Sequence, residues 1–128
     1  MATKVLVAED DTDIRNLIAF SLRFGGFEVV EASNGQEAVE RTLAEKPDLV
    51  LMDVRMPKVT GYEACRQLKA RDETKHIPVI FLSAKGQETE IQQGLDAGAE
   101  DYILKPFAPD ELANRVREVV QRVSQERQ

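Results

Sequence analysis

The sequence predicts an α/β domain built on a parallel β-sheet with helices on both faces. Short apolar runs of strand length alternate five times with segments of helical periodicity. Such alternation is the mark of strands joined by crossover helices. A chain of 128 residues is also long enough to bury one core without disulfides or a structural metal.

The elements follow in order. Lys4 to Ala8 is brief and branched at Val5 and Val7, as a buried strand is. Thr12 or Asp13 is the expected cap of the first helix, where Ile14, Leu17, Ile18 and Leu22 recur at helical spacing and Gly25-Gly26 ends the run. Phe27 to Ala32 is the second strand. Ser33-Asn34-Gly35 turns into a helix with Ala38, Val39 and Leu43 on one face, stopped by Pro47. Leu49 to Met52, the most apolar strand, ends on Asp53, and the loop Val54 to Thr60 leads to a helix from about Gly61 to Ala70. Pro78 to Leu82 ends on Ser83. A helix near Glu88 to Ala97 follows, then Tyr102 to Leu104 ending on Lys105. The last helix opens near Pro109 and buries Leu112, Val116, Val119, Val120 and Val123. The expected domain is 1–128 with a core of about 4–123, and Ser124 to Gln128 reads as a frayed end or a linker.

Composition narrows the function. Hydrophobic residues at 42% and charged residues at 31% indicate a globular chain. A net charge of −6 repels phosphate backbones, so direct nucleic acid binding is not expected. No apolar run approaches the roughly 18 residues of a membrane span, and a cytoplasmic location is expected. With Cys65 as the sole cysteine there is no intrachain disulfide or cysteine-rich zinc site, and a buried thiol is its expected state. His76 reads as a solvated loop residue.

In open α/β sheets, ligands bind outside the carboxyl ends of the strands. Glu9, Asp10 and Asp11 follow the first strand, Asp53 the third, Ser83 the fourth and Lys105 the fifth. Singly, each has an ordinary role: acids complement a helix dipole, an aspartate makes a turn, a serine caps, a lysine is solvated. Together they place several carboxylates on one rim, which repel unless a cation sits among them. Magnesium, a hard ion bound by carboxylates, water and phosphate, suits such a rim.

The runs Val7-Ala8-Glu9-Asp10-Asp11, Leu51-Met52-Asp53-Val54-Arg55-Met56-Pro57 with Gly61, Leu82-Ser83-Ala84, and Asp101-Tyr102-Ile103-Leu104-Lys105-Pro106-Phe107 resemble the receiver domain of bacterial two-component response regulators. The resemblance spans roughly Lys4 to Val123 and implies a doubly wound, flavodoxin-like sheet of order 2-1-3-4-5. It implies that Asp53 is the phosphoacceptor. Asp10, Asp53 and the Arg55 backbone carbonyl would ligate magnesium, with Glu9 acting through water and Asp11 adjacent to the pair. Lys105 would pair with phosphoryl oxygens, Ser83 would donate its hydroxyl, and the Ala84 amide would lie beside it. The family's Lys105–Pro106 bond is typically cis. Arg55 and Lys85 hold positions that tune phosphoryl lifetime, and Ser83 with Tyr102 forms the switch. The implied partners are a histidine kinase or histidine phosphotransfer protein and an unidentified output protein, with phosphorylation-dependent homodimerisation as an option. The implied role is a signalling switch, not an enzyme, active only in its own phosphotransfer and slow autodephosphorylation.

Two other classes fit less. A magnesium-dependent aspartyl-nucleophile phosphatase needs a second acid two residues after the nucleophile, where this chain has Arg55. A flavodoxin-like cofactor protein needs a hydroxyl- and glycine-rich loop after the first strand, where this chain has three acids. A stand-alone receiver and a piece of a longer regulator both remain open.

Overall fold

The computed structural model describes residues 2–84, 88–105 and 107–126; Lys85 and the Lys105–Pro106 bond, both singled out above, lie outside the described residues. Strands β1 (Lys4–Ala8), β2 (Glu28–Ala32), β3 (Leu49–Asp53), β4 (Val79–Ala84) and β5 (Asp101–Lys105) alternate with helices α1 (Thr12–Phe24), α2 (Gly35–Glu45), α3 (Gly61–Lys69), α4 (Glu88–Asp96) and α5 (Pro109–Glu126). The strands form one parallel sheet in the order β2-β1-β3-β4-β5.

Strand periodicity divides the core in two. Leu6, Ala8, Val50, Met52, Val79 and Phe81 face one side, where Ala38 and Val39 of α2 and Ala64, Cys65 and Leu68 of α3 cover them. Val5, Val7, Leu49, Leu51, Ile80, Leu82 and Ile103 face the other, under Ile18 and Leu22 of α1 and Leu112, Val116 and Val119 of α5. Burial on both faces is why these strands read as continuous apolar runs. Cys65 is buried as expected, its thiol donating to the Ala97 carbonyl at 3.4 Å, and burial pushes its pKa up to about 11. Among the described residues, no helix is long and apolar enough to cross a membrane.

One local expectation needs correction. The cap of α1 is Asp11, not Thr12 or Asp13: its backbone is extended (φ −75°, ψ 116°), and its carboxylate accepts from the Ile14 amide at 3.0 Å. Leu17 of α1 is 51% exposed, one residue round the helix from fully buried Ile18. Ser124 to Glu126 belong to α5. At the end of α2 a left-handed Lys46 (φ 47°) turns the chain before Pro47, and at the end of α1 Gly26 (φ 94°) makes the turn that favours glycine.

The cap assignment has a direct test in urea denaturation. Asp11→Ala should lose about 1 kcal/mol, whereas Thr12→Ala should change stability by no more than a few tenths. The reverse ranking would return the cap to Thr12.

Candidate functional site

Register brings the strand ends together. Ala8 lies beside Met52, Asp53 beside Leu82, Ser83 beside Leu104 and Ala84 beside Lys105. The residue after β1 and the last residues of β3, β4 and β5 therefore stand along one rim, although 96 positions separate Glu9 from Lys105 in sequence. The two acids from different strands and the lysine are in direct contact: Lys105 Nζ donates to Asp53 Oδ2 at 2.5 Å and to Glu9 Oε1 at 3.1 Å.

Asp53 and Glu9 are buried, and Asp10 is exposed. Carboxylate oxygens of all three come within 4.8 Å of one another. At an effective dielectric constant of about 20, unit charges 4 Å apart interact by about 4 kcal/mol, so the repulsion here matters. Burial, followed by hydrogen bonding and charge repulsion from Asp53, raises the Glu9 pKa from 4.5 to about 7, against the pull of Lys105. Burial alone would lower the Lys105 pKa, but the hydrogen bond and charge of Asp53, then those of Glu9, outweigh it and leave the pKa raised.

The donor set fits magnesium. The three carboxylates supply hard oxygen ligands, and 4.8 Å is near the roughly 4.2 Å separating opposite ligands on that ion. Three carboxylates against one ammonium also leave an excess of two negative charges, which a divalent cation cancels.

The surrounding backbone holds the acids in place. The Arg55 amide donates to Asp53 Oδ1 at 3.0 Å, and the Asp11 amide to Glu9 Oε2 at 3.4 Å. Asp11 thus serves as helix cap and loop anchor. The Gly61 amide closes the β3–α3 loop onto the Val54 carbonyl at 3.1 Å. A Cβ on Gly61 would stand 2.2 Å from the Asp53 carbonyl oxygen and 2.9 Å from Val54 Cα, so only glycine lets α3 start this close to the strand end.

Other expected residues fall near by. Ser83 is buried at the end of β4, and Ala84 is the last residue of that strand. Tyr102 is half-buried on β5, packed against the core shared with α2 and α3. Arg55 is exposed in the β3–α3 loop, where an open hollow of about 680 Å³ reaches from Asp10, Arg55 and Met56 to Thr89 and Gln93 of α4. His76 is exposed in the loop before β4. Sequence reasoning missed Arg15, whose guanidinium donates to the Glu9 carbonyl at 2.8 Å. Its only signal was a cation one turn into a helix that begins beside the acids.

The sequence matches the response regulator receiver domain family over residues 5–117. The chain belongs to that family. This receiver domain is 44% identical over 118 residues to the phosphate regulon transcriptional regulatory protein PhoB of Pseudomonas aeruginosa, covering 92% of this chain and 52% of that protein. It is 43% identical over 123 residues to the transcriptional regulatory protein ResD of Bacillus subtilis, covering 96% and 50%. The receiver thus spans about half the length of these curated relatives. A putative response regulator from Chloroflexus aurantiacus superposes with a TM-score of 0.91 at 33% identity, covering 94% of this chain and 99% of that one. The chemotaxis response regulator CheY4 of Vibrio cholerae does so with a TM-score of 0.84 at 30% identity, covering 96% and 99%.

The close approach at Gly61 makes a sharp prediction. Gly61→Ala must push α3 away from β3 and should cost about 1–3 kcal/mol in urea denaturation. Unchanged stability would mean that the loop accommodates a methyl group without moving Asp53.

Proposed function

We propose that this receiver takes a phosphoryl group onto the Asp53 carboxylate from a phosphohistidine of a histidine kinase or histidine phosphotransfer protein. The observation that carries the reading is the convergence of Asp53, Glu9 and Asp10 with the Lys105 ammonium on one strand-end rim. An Asp53 oxygen attacks phosphorus, the P–N bond of the donor breaks, and its electron pair stays on the imidazole nitrogen. The product is an acyl phosphate. An ionised carboxylate has no proton to lose, so the attack needs no general base.

Asp10, Asp53 and the Arg55 carbonyl are the groups that would hold magnesium, with Glu9 acting through water. When bound, that ion supplies charge neutralisation for the phosphoryl oxygens. Lys105 leaves Asp53 Oδ2 and follows the charge to the phosphoryl group. Buried Ser83 donates its hydroxyl there, beside the Ala84 amide. As Ser83 moves, space opens for the Tyr102 ring to turn inward, which alters the α4–β5–α5 face offered to an output partner or a second copy. The change is a population shift, limited by how differently the phosphoryl group binds the two packings. With a net charge of −6, the chain is assigned the receiving role and not DNA contact. It acts as a switch, its chemistry confined to its own phosphorylation and slow hydrolysis.

Incubation with acetyl phosphate and magnesium, followed by intact-mass measurement, tests this. The wild type should gain one phosphoryl group, while Asp53→Asn and chelator-treated protein should not. An unmodified wild type would contradict the reading. In the same assay, Arg55→Asn should lose the label severalfold faster, because the Arg55 charge shields the acyl phosphate from water; equal or slower loss would remove that role.

A further inference from the structure

Glu9 is held through its backbone as well as through its carboxylate. Its amide donates to the Ala32 carbonyl at the end of β2 at 3.0 Å. Its carbonyl accepts from Arg15 Nη1 at 2.8 Å. That carbonyl belongs to the peptide plane joining Glu9 to Asp10, so its orientation governs where both side chains leave the chain. Arg15 is in turn tied to β2: its Nε lies 3.4 Å from Glu31 Oε1, and its side chain is only 17% exposed. The other oxygen of that carboxylate, Glu31 Oε2, pairs with Arg23 Nη2 at 3.5 Å. Because Glu31 answers the Arg15 charge, the guanidinium acts on the acids by geometry more than by attraction.

We infer that Arg15 is a positioning residue for the acid pair, locking the Glu9–Asp10 peptide against the end of β2 so that both carboxylates stay within reach of Asp53. The inference rests on the phosphoacceptor reading above and deepens it. The acids at this rim repel one another, and a loop carrying them relaxes outward unless its backbone is fixed. The Asp11 cap fixes the far side of that loop, Ala32 fixes the Glu9 amide, and Arg15 alone among the described side chains fixes the Glu9 carbonyl. An arginine suits this task because one planar group serves the carbonyl and Glu31 together, which a lysine ammonium on its flexible stem does less well.

Groups that orient metal ligands typically change metal affinity by about 10- to 100-fold when removed. Calorimetric titration with magnesium alone reads this without any phosphoryl transfer. Arg15→Ala should bind magnesium about 10-fold more weakly than wild type, and Arg15→Lys should recover part of the loss. Arg41→Ala is the control: it breaks a neighbouring ion pair with Glu37 that does not touch the acid loop, and its affinity should match wild type. Wild-type affinity in Arg15→Ala would overturn the inference, as would an equal loss in Arg41→Ala. If Arg15→Ala does not fold, Arg15→Lys decides: affinity about threefold or more below wild type supports positioning, and equal affinity refutes it. A wild type that binds magnesium but takes no phosphoryl group would defeat the proposed function and leave the calorimetric result on Arg15 standing.

Discussion

The receiver depends on one electrostatic constraint: several carboxylates are held close together at the end of an apolar sheet, where they repel. Lys105 relieves part of that repulsion by bonding Asp53 and Glu9 at once. Burial, together with the hydrogen bond and charge of Asp53, still raises the Glu9 pKa to about 7. Two routes relieve the rest of that repulsion, a proton on Glu9 or a divalent cation among the three acids. In the proposed function a cation joins the three acids and Lys105 exchanges its carboxylate partner for a phosphoryl group.

The sheet makes that crowding possible at tolerable stability. Neighbouring strands put Ala8 beside Met52, Asp53 beside Leu82 and Ala84 beside Lys105, so that Asp53 and Lys105 meet the acids that directly follow β1. Both faces of the sheet are covered by helices, and β1, β3 and β4 carry apolar side chains almost up to the rim. The buried acids Glu9 and Asp53 lie at the open end, where backbone amides of Asp11 and Arg55 serve them. Gly61 belongs to the same economy of space, since it allows α3 to begin against the Asp53 carbonyl.

Much of this was legible in the residues. The strand ends read correctly because buried parallel strands are apolar and stop abruptly at a charge: β1 at Ala8, β3 at Asp53, β5 at Lys105. Strand order was not legible that way, because nothing local encodes which strand lies beside which; it came from the resemblance to receivers and agrees with the observed β2-β1-β3-β4-β5. The cap of α1 was misplaced because Asp11, Thr12 and Asp13 are all able to cap, and only backbone dihedrals choose among them. Arg15 was missed for a different reason: its partner is a backbone carbonyl, which carries no sequence signature.

The central claim, that Asp10 and Asp53 grip one divalent ion that shares the rim with Lys105, is most directly tested by crystals grown with manganese and an anomalous difference map. The account predicts a single peak within bonding distance of Asp10, Asp53 and the Arg55 carbonyl, with the Lys105 amine still on the same rim. No peak there at saturating manganese, or a peak bound by neither aspartate, would contradict it.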